Sequence, residues 1–107
     1  MIEKVYDYSM GNEKTIERIV SDENVDINHM ILNKGECLPE HYSNSNVYMS
    51  VIRGAVTLQL GDNPDETFET GKIINIAYNT KMNVCNKNDE TLEIFVVKAP
   101  APKNYIK

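Results

Sequence analysis

Turn residues interrupt this chain so regularly that no long helix fits between them. Breaks fall at Gly11-Asn12, Ser21 to Asn24, Asn33 to Gly35, Gly54, Gly61 to Asp65, Gly71, Ala77 to Thr80 and Asn86 to Asp89. Such Gly, Asn, Asp and Pro clusters are where chains reverse direction. The segments between them are short and rich in β-branched residues, which suit a pleated, half-buried surface. Val25 to Leu32 sets Ile27, His29 and Ile31 on one side and Met30 and Leu32 on the other. Val47 to Val51 is a strand-like run, and Ala55 to Leu60 alternates Val56, Leu58 and Leu60 against Thr57 and Gln59. Thr67 to Glu69, Ile73 to Ile76, Lys81 to Asn86 and Thr91 to Lys98 complete the series. Glu13 to Val20 has Ile16, Ile19 and Val20 at helical spacing, but its β-branched residues and β neighbours favour a strand. The expectation is an all-β sandwich or barrel of about eight or more short antiparallel strands.

At 107 residues the chain makes one domain. Its expected parts are an N-terminal arm over 1–12, a barrel core over 25–98 and an extended C-terminal tail over 99–107. Eleven Lys and Arg stand against sixteen Asp and Glu, a net charge of −5, with no basic cluster. That balance argues against nucleic acid and against anionic membrane surfaces, both of which need grouped cations. No apolar run approaches the roughly 20 residues of a membrane helix. The N-terminus lacks a basic-then-apolar secretory pattern, so a cytoplasmic setting is expected. Cys37 and Cys85 are too few for a disulfide scaffold and are expected as reduced, partly buried, inert thiols.

The most informative stretch runs from Gly35 to Gly54. Gly35 opens a strand after a turn, Pro39 shapes its entry ahead of His41, and Gly54 reads as the hinge of a hairpin. This stretch resembles the first sequence motif of the cupins: Gly35, His41 and Gly54 fall at its spacing, with Ser43 at its second histidine and Val47 at its glutamate. The second cupin motif is similar to Gly71, Ile73, Ile74, Ile76 and Asn86, with Met82 at its histidine. The resemblance covers roughly residues 25 to 100 and implies a double-stranded β-helix, or jelly-roll, barrel.

In metal-bearing cupins three histidines and a glutamate hold a divalent ion, and His41 alone keeps that chemistry here. Residues two apart on a strand lie about 6.6 Å apart on one face, so position 43 could share an ion with His41, but a serine hydroxyl is a poor transition-metal ligand. Val47 offers hydrocarbon, and the Met82 thioether suits little beyond Cu(I). Cys37 shares strand parity with His41 but stands about 13 Å away along a strand. Cys85 should face away from Met82, and His29 sits on a neighbouring strand with an unassigned partner. No cofactor is therefore expected, and His41 is the sole surviving candidate ligand.

The resemblance then implies a small cupin-like protein without the usual metal centre. One reading has it bind a small, partly apolar molecule in a pocket of His41, Ser43, Val47, Met49, Met82 and Asn86, with His41, Ser43 and Asn86 as polar anchors. Another makes it a homodimeric binding or structural module, with the arms at 1–12 and 99–107 reaching the partner. The alternative is a metal-dependent oxygenase or isomerase using His41 in a rearranged ligand set with a divalent transition metal. No catalytic residue stands out, and Tyr42, Tyr48 and Tyr78 read as surface or interface tyrosines.

Overall fold

A computed structural model describes residues 2–105. Among the described residues nine strands form: β1 (Thr15–Ser21), β2 (Asp26–Leu32), β3 (His41–Tyr42), β4 (Val47–Arg53), β5 (Ala55–Leu60), β6 (Glu66–Glu69), β7 (Ile73–Ile76), β8 (Lys81–Cys85) and β9 (Leu92–Lys98). Of the residues at 13–20, those from Thr15 onward form strand, with Glu17 paired to His29 and Arg18 to Asn28 across β1 and β2. A five-stranded sheet runs β1-β2-β9-β4-β7, and a four-stranded sheet runs β3-β8-β5-β6, with every pairing antiparallel. The sheets face one another and share no strand, so the jelly roll stays open instead of closing into a continuous barrel.

Period-two patterning builds the core. Met30, Leu32, Val47, Met49, Val51, Leu92, Ile94 and Val96 from the larger sheet meet Val56, Leu58, Met82 and Val84 from the smaller one. All are nearly fully buried, and packing of this kind is what most strongly fixes the register of each strand. Burial alternates in β4, whereas β2 is buried on both faces from His29 to Leu32 and β5 buries Thr57 along with Val56 and Leu58.

Gly54 does something other than close a hairpin. β4 belongs to the larger sheet and β5 to the smaller, so this single residue carries the chain across the sandwich edge. Its φ is +74°, and a Cβ there would overlap the Thr91 carbonyl, so only glycine fits the corner. Gly35 likewise opens less strand than expected. A turn leads to a single bridge at Cys37 and then to the two-residue β3, held by Leu38 N–H donating to Val84 O at 2.9 Å.

The termini also fold differently from expectation. The tail turns into a short 3-10 helix at Pro102–Tyr105, where Tyr105 stacks on Tyr78 at 4.3 Å between ring centroids. Its backbone is tied down as Ala99 N–H donates to Asn46 O and Ala101 N–H to Asn24 O, both at 3.1 Å. The arm lies on the outer face of the larger sheet, anchored through Tyr8 to Asn12. Among the described residues no helix is long and apolar enough to cross a membrane.

Candidate functional site

One end of the sandwich, between β3, β8 and the edge of β2, β9 and β4, holds a small pocket with a free volume of about 40 Å³. That is room for a few water-sized atoms. Its floor is apolar: Met30, Leu38, Val47, Met49, Met82, Val84 and Val96. Its rim is polar: Asn28, His41, Ser43, Asn44 and Lys98. Five of the six residues singled out from sequence converge here, namely His41, Ser43, Val47, Met49 and Met82.

Asn86 does not join them. It is fully buried elsewhere, donating to Leu32 O at 2.9 Å and Glu90 O at 2.8 Å while its carbonyl accepts Asn88 N–H at 3.0 Å. Its role is to hold the turn after β8, so it cannot anchor anything in the pocket. Ser43 lines the pocket but its hydroxyl is committed: it donates to Ala77 O at 2.6 Å and accepts Thr80 N–H at 2.8 Å. With its one hydrogen occupied, it is a fastener of the β7–β8 loop and no anchor.

His41 behaves differently. Its Nδ1 lies 2.9 Å from Pro39 O, which can only accept, so the proton sits on Nδ1. Among the described residues Nε2 has no protein partner. Sequence reasoning missed Lys98 and Asn28, although the signal was present. Lys98 continues the inward parity of Ile94 and Val96, and Asn28 that of Met30 and Leu32. Lys98 is half-buried, and burial pushes its amine below the ordinary lysine range. The Asp26 charge opposes that shift, and Arg18 adds to it.

The cupin metal positions do not fit a divalent ion. Ser43 Oγ is occupied, Val47 is a hydrocarbon, Met82 is a thioether, and His41 is left as one imidazole. Among the described residues no group of three His, Cys, Asp or Glu side chains could hold a metal. The cysteines contribute nothing either, because Cys37 and Cys85 form a disulfide. This overturns the expectation of reduced, partly buried thiols. Cys37 is exposed and bridges to Cys85 on the outer face of β8, placing the two Cα atoms 4.1 Å apart. Their separation of 48 residues in sequence hides that contact.

The second histidine, His29, lies on the opposite face of the larger sheet. It is completely buried, with Nδ1 2.7 Å from Glu17 Oε2 and Nε2 2.6 Å from Glu93 Oε2. Both carboxylates are acceptors, and only the doubly protonated ring donates at both nitrogens. Tyr8 and Phe95 close over the ring at centroid distances of 4.7 and 4.8 Å. Glu17 also accepts the Ser9 N–H and hydroxyl at 2.9 and 3.0 Å. That Ser9 amide, followed by the His29 hydrogen bond, holds the Glu17 carboxyl below the usual carboxylate range. Arg53 pairs its Nε with Glu93 Oε1 at 3.2 Å and donates to Asn12 Oδ1 and Gly11 O at 2.5 and 2.7 Å. This network fastens the arm, and with both ring nitrogens of His29 occupied it offers no lone pair to a metal.

Two facing antiparallel sheets in this order, with a small pocket at one open end, define a double-stranded β-helix domain. No family model matches the chain. It is 45% identical over 104 residues to an uncharacterized protein of Methanocaldococcus jannaschii, covering 96% of this chain and 90% of that protein. It is similar to the crystal structure of an RmlC-like cupin family protein with a double-stranded β-helix fold from the same organism. There the TM-score is 0.94 at 45% identity, covering 97% of this chain and 96% of the other. A cupin-like protein from Thermotoga maritima shares the fold at a TM-score of 0.73 and 18% identity, over 79% of this chain and 67% of that one. The chain therefore belongs to the RmlC-like cupin family.

Proposed function

We propose that this protein is a non-catalytic cupin that binds a small, partly apolar molecule in the pocket between β3, β8 and β9. The observation that supports the reading is the division of the pocket into two parts. Met30, Val47, Met49, Met82, Val84 and Val96 give an apolar floor, while the rim carries Lys98 and Asn28 as donors and His41 Nε2 as an acceptor, none of them with a protein partner among the described residues. Apolar floors with a few polar groups at the edge are the general pattern of small-molecule sites. Methionine side chains adapt to the shape of a guest, and three of them line this floor. The limited volume restricts the guest to a few heavy atoms.

Xenon tests the reading because it senses apolar space without polar requirements. Equilibrating labelled protein with the gas should shift the methyl resonances of Met30, Met49 and Met82 and spare those on the outer sheet faces. An unchanged methyl spectrum would remove the pocket as a binding site.

A further inference from the structure

The rim of the pocket carries more positive charge than an acidic chain would lead one to expect. Lys98 points inward on β9, in register with Asp26 of β2 and Val47 of β4. Asp26 is its cross-strand neighbour, yet the two do not approach within ion-pair distance, and among the described residues the Lys98 amine forms no hydrogen bond or salt bridge. Arg18 lies on the same face one strand further out, paired in register with Asn28, which itself lines the rim. The charged groups facing this end are thus Lys98 and Arg18 against Asp26, with the His41 ring beside them. Burial with incomplete compensation is why the Lys98 amine is held below its ordinary range. An acceptor anion arriving there would relieve that penalty and supply the acceptor oxygens that the Lys98 amine lacks.

We propose that the molecule the pocket takes is a small monocarboxylic acid of about two to four carbons, its carboxylate against Lys98 and its alkyl end against Met49 and Met82. This rests on the proposed pocket reading and adds the chemical class of the guest. The apolar floor disfavours wholly polar anions such as phosphate, which would have to leave oxygens facing methyl groups. A neutral isostere fills the floor equally well but leaves the lysine uncompensated.

The experiment is a methyl and amide NMR titration of the full chain with butyrate, butanamide and inorganic phosphate. Butyrate should shift the Met49, Met82 and Lys98 signals, with butanamide at least about tenfold weaker and phosphate without effect on the methyls. In Lys98→Gln, butyrate affinity should fall by about tenfold or more to the butanamide level, while Lys98→Arg keeps most of it. The wild-type comparison needs no variant, so a Lys98→Gln protein that fails to fold leaves the test intact. Equal binding of butyrate and butanamide, or unchanged butyrate affinity in a folded Lys98→Gln, overturns the carboxylate assignment and leaves the apolar pocket standing. Silence from all three compounds together with silence towards xenon overturns both.

Discussion

The two histidines of this protein stand on different sheets, His29 on β2 of the larger and His41 on β3 of the smaller, and in opposite chemical situations. His29 is sealed from solvent, and each ring nitrogen meets a carboxylate oxygen that can only accept. His41 stands at an open rim with one nitrogen tied to a neighbouring carbonyl and the other without a partner among the described residues. The first arrangement is complete and would lose hydrogen bonds to any guest. The second is incomplete, and incompleteness at an accessible polar group is what a ligand can remedy. Counting satisfied valences separates a fastening from a site more sharply than residue type does. It also places Ser43 and Asn86 with His29, as groups whose bonds already belong to the fold.

The comparison can be broken first at the disulfide. Cys37–Cys85 ties the segment bearing Leu38 and His41 to β8, and β3 itself is only two residues long. Closing a loop of 48 residues stabilises by about 4 kcal/mol in the chain-entropy picture. Cys37→Ser with Cys85→Ser should therefore lower urea-unfolding stability by up to about 4 kcal/mol. Amide exchange should rise most around Leu38 and His41, while His29 and Glu93 stay protected. Loss of protection at His29 first would mean that the rim is not the loosely held side.

Paired truncations come next. His29→Ala leaves the Glu93 carboxylate facing a buried void and should cost about 3 kcal/mol. His41→Ala removes an exposed ring with one local hydrogen bond and should stay within about 0.5 kcal/mol. Chemical denaturation of both variants decides the matter. Similar losses at the two positions would erase the distinction between a fastening histidine and a rim histidine.

The sheets were legible in sequence because period-two alternation and turn clusters report local physics. Val56 and Leu58 point inward, and Ile27, His29 and Ile31 share a face, as the alternation requires. Gly35, His41 and Gly54 at cupin spacing identified the fold as well. What escaped was set by partners distant in the chain. Gly54 looks like a hairpin hinge until Thr91 is placed beside it and its two strands fall in different sheets. The disulfide joins residues that strand parity alone does not bring together. His29 was unassignable because Glu17 and Glu93 lie 12 and 64 positions away from it. In the pocket, His41, Ser43, Val47 and Met82 were foreseeable from their places in the cupin motifs, and Met49 from the apolar strand that follows. Lys98 obeyed the inward parity of Ile94 and Val96 but was passed over because lysines are usually solvated. Asn86 satisfied the spacing of the second motif, yet spacing does not say whether an amide is already bonded.

The smallest expected effect is an acid opening of the arm, and it sharpens the contrast because the rim should not share it. Glu17 accepts the Ser9 amide, the Ser9 hydroxyl and the His29 ring, so its carboxyl is held below the ordinary range. A carboxylate depressed in the folded state contributes its stabilisation fully above the unfolded value, and that contribution fades as pH falls through the folded one. Protonation turns an acceptor facing three donors into a group that can no longer accept from all of them. As pH falls below the ordinary carboxylate range the Ser9 amide resonance should therefore move towards its random-coil position, and the Tyr8 ring should lose its contact shifts from His29 and Phe95. Asp22, depressed by the Asn24 and Val25 amides, titrates in the same direction but belongs to the β1–β2 turn, so its signals report that turn separately. Met49 and Met82 methyls should stay in place over the same range, since no carboxylate lines their pocket. A Ser9 amide that does not move on acidification, or pocket methyls that move together with it, would show that the arm and the rim are one cooperative unit.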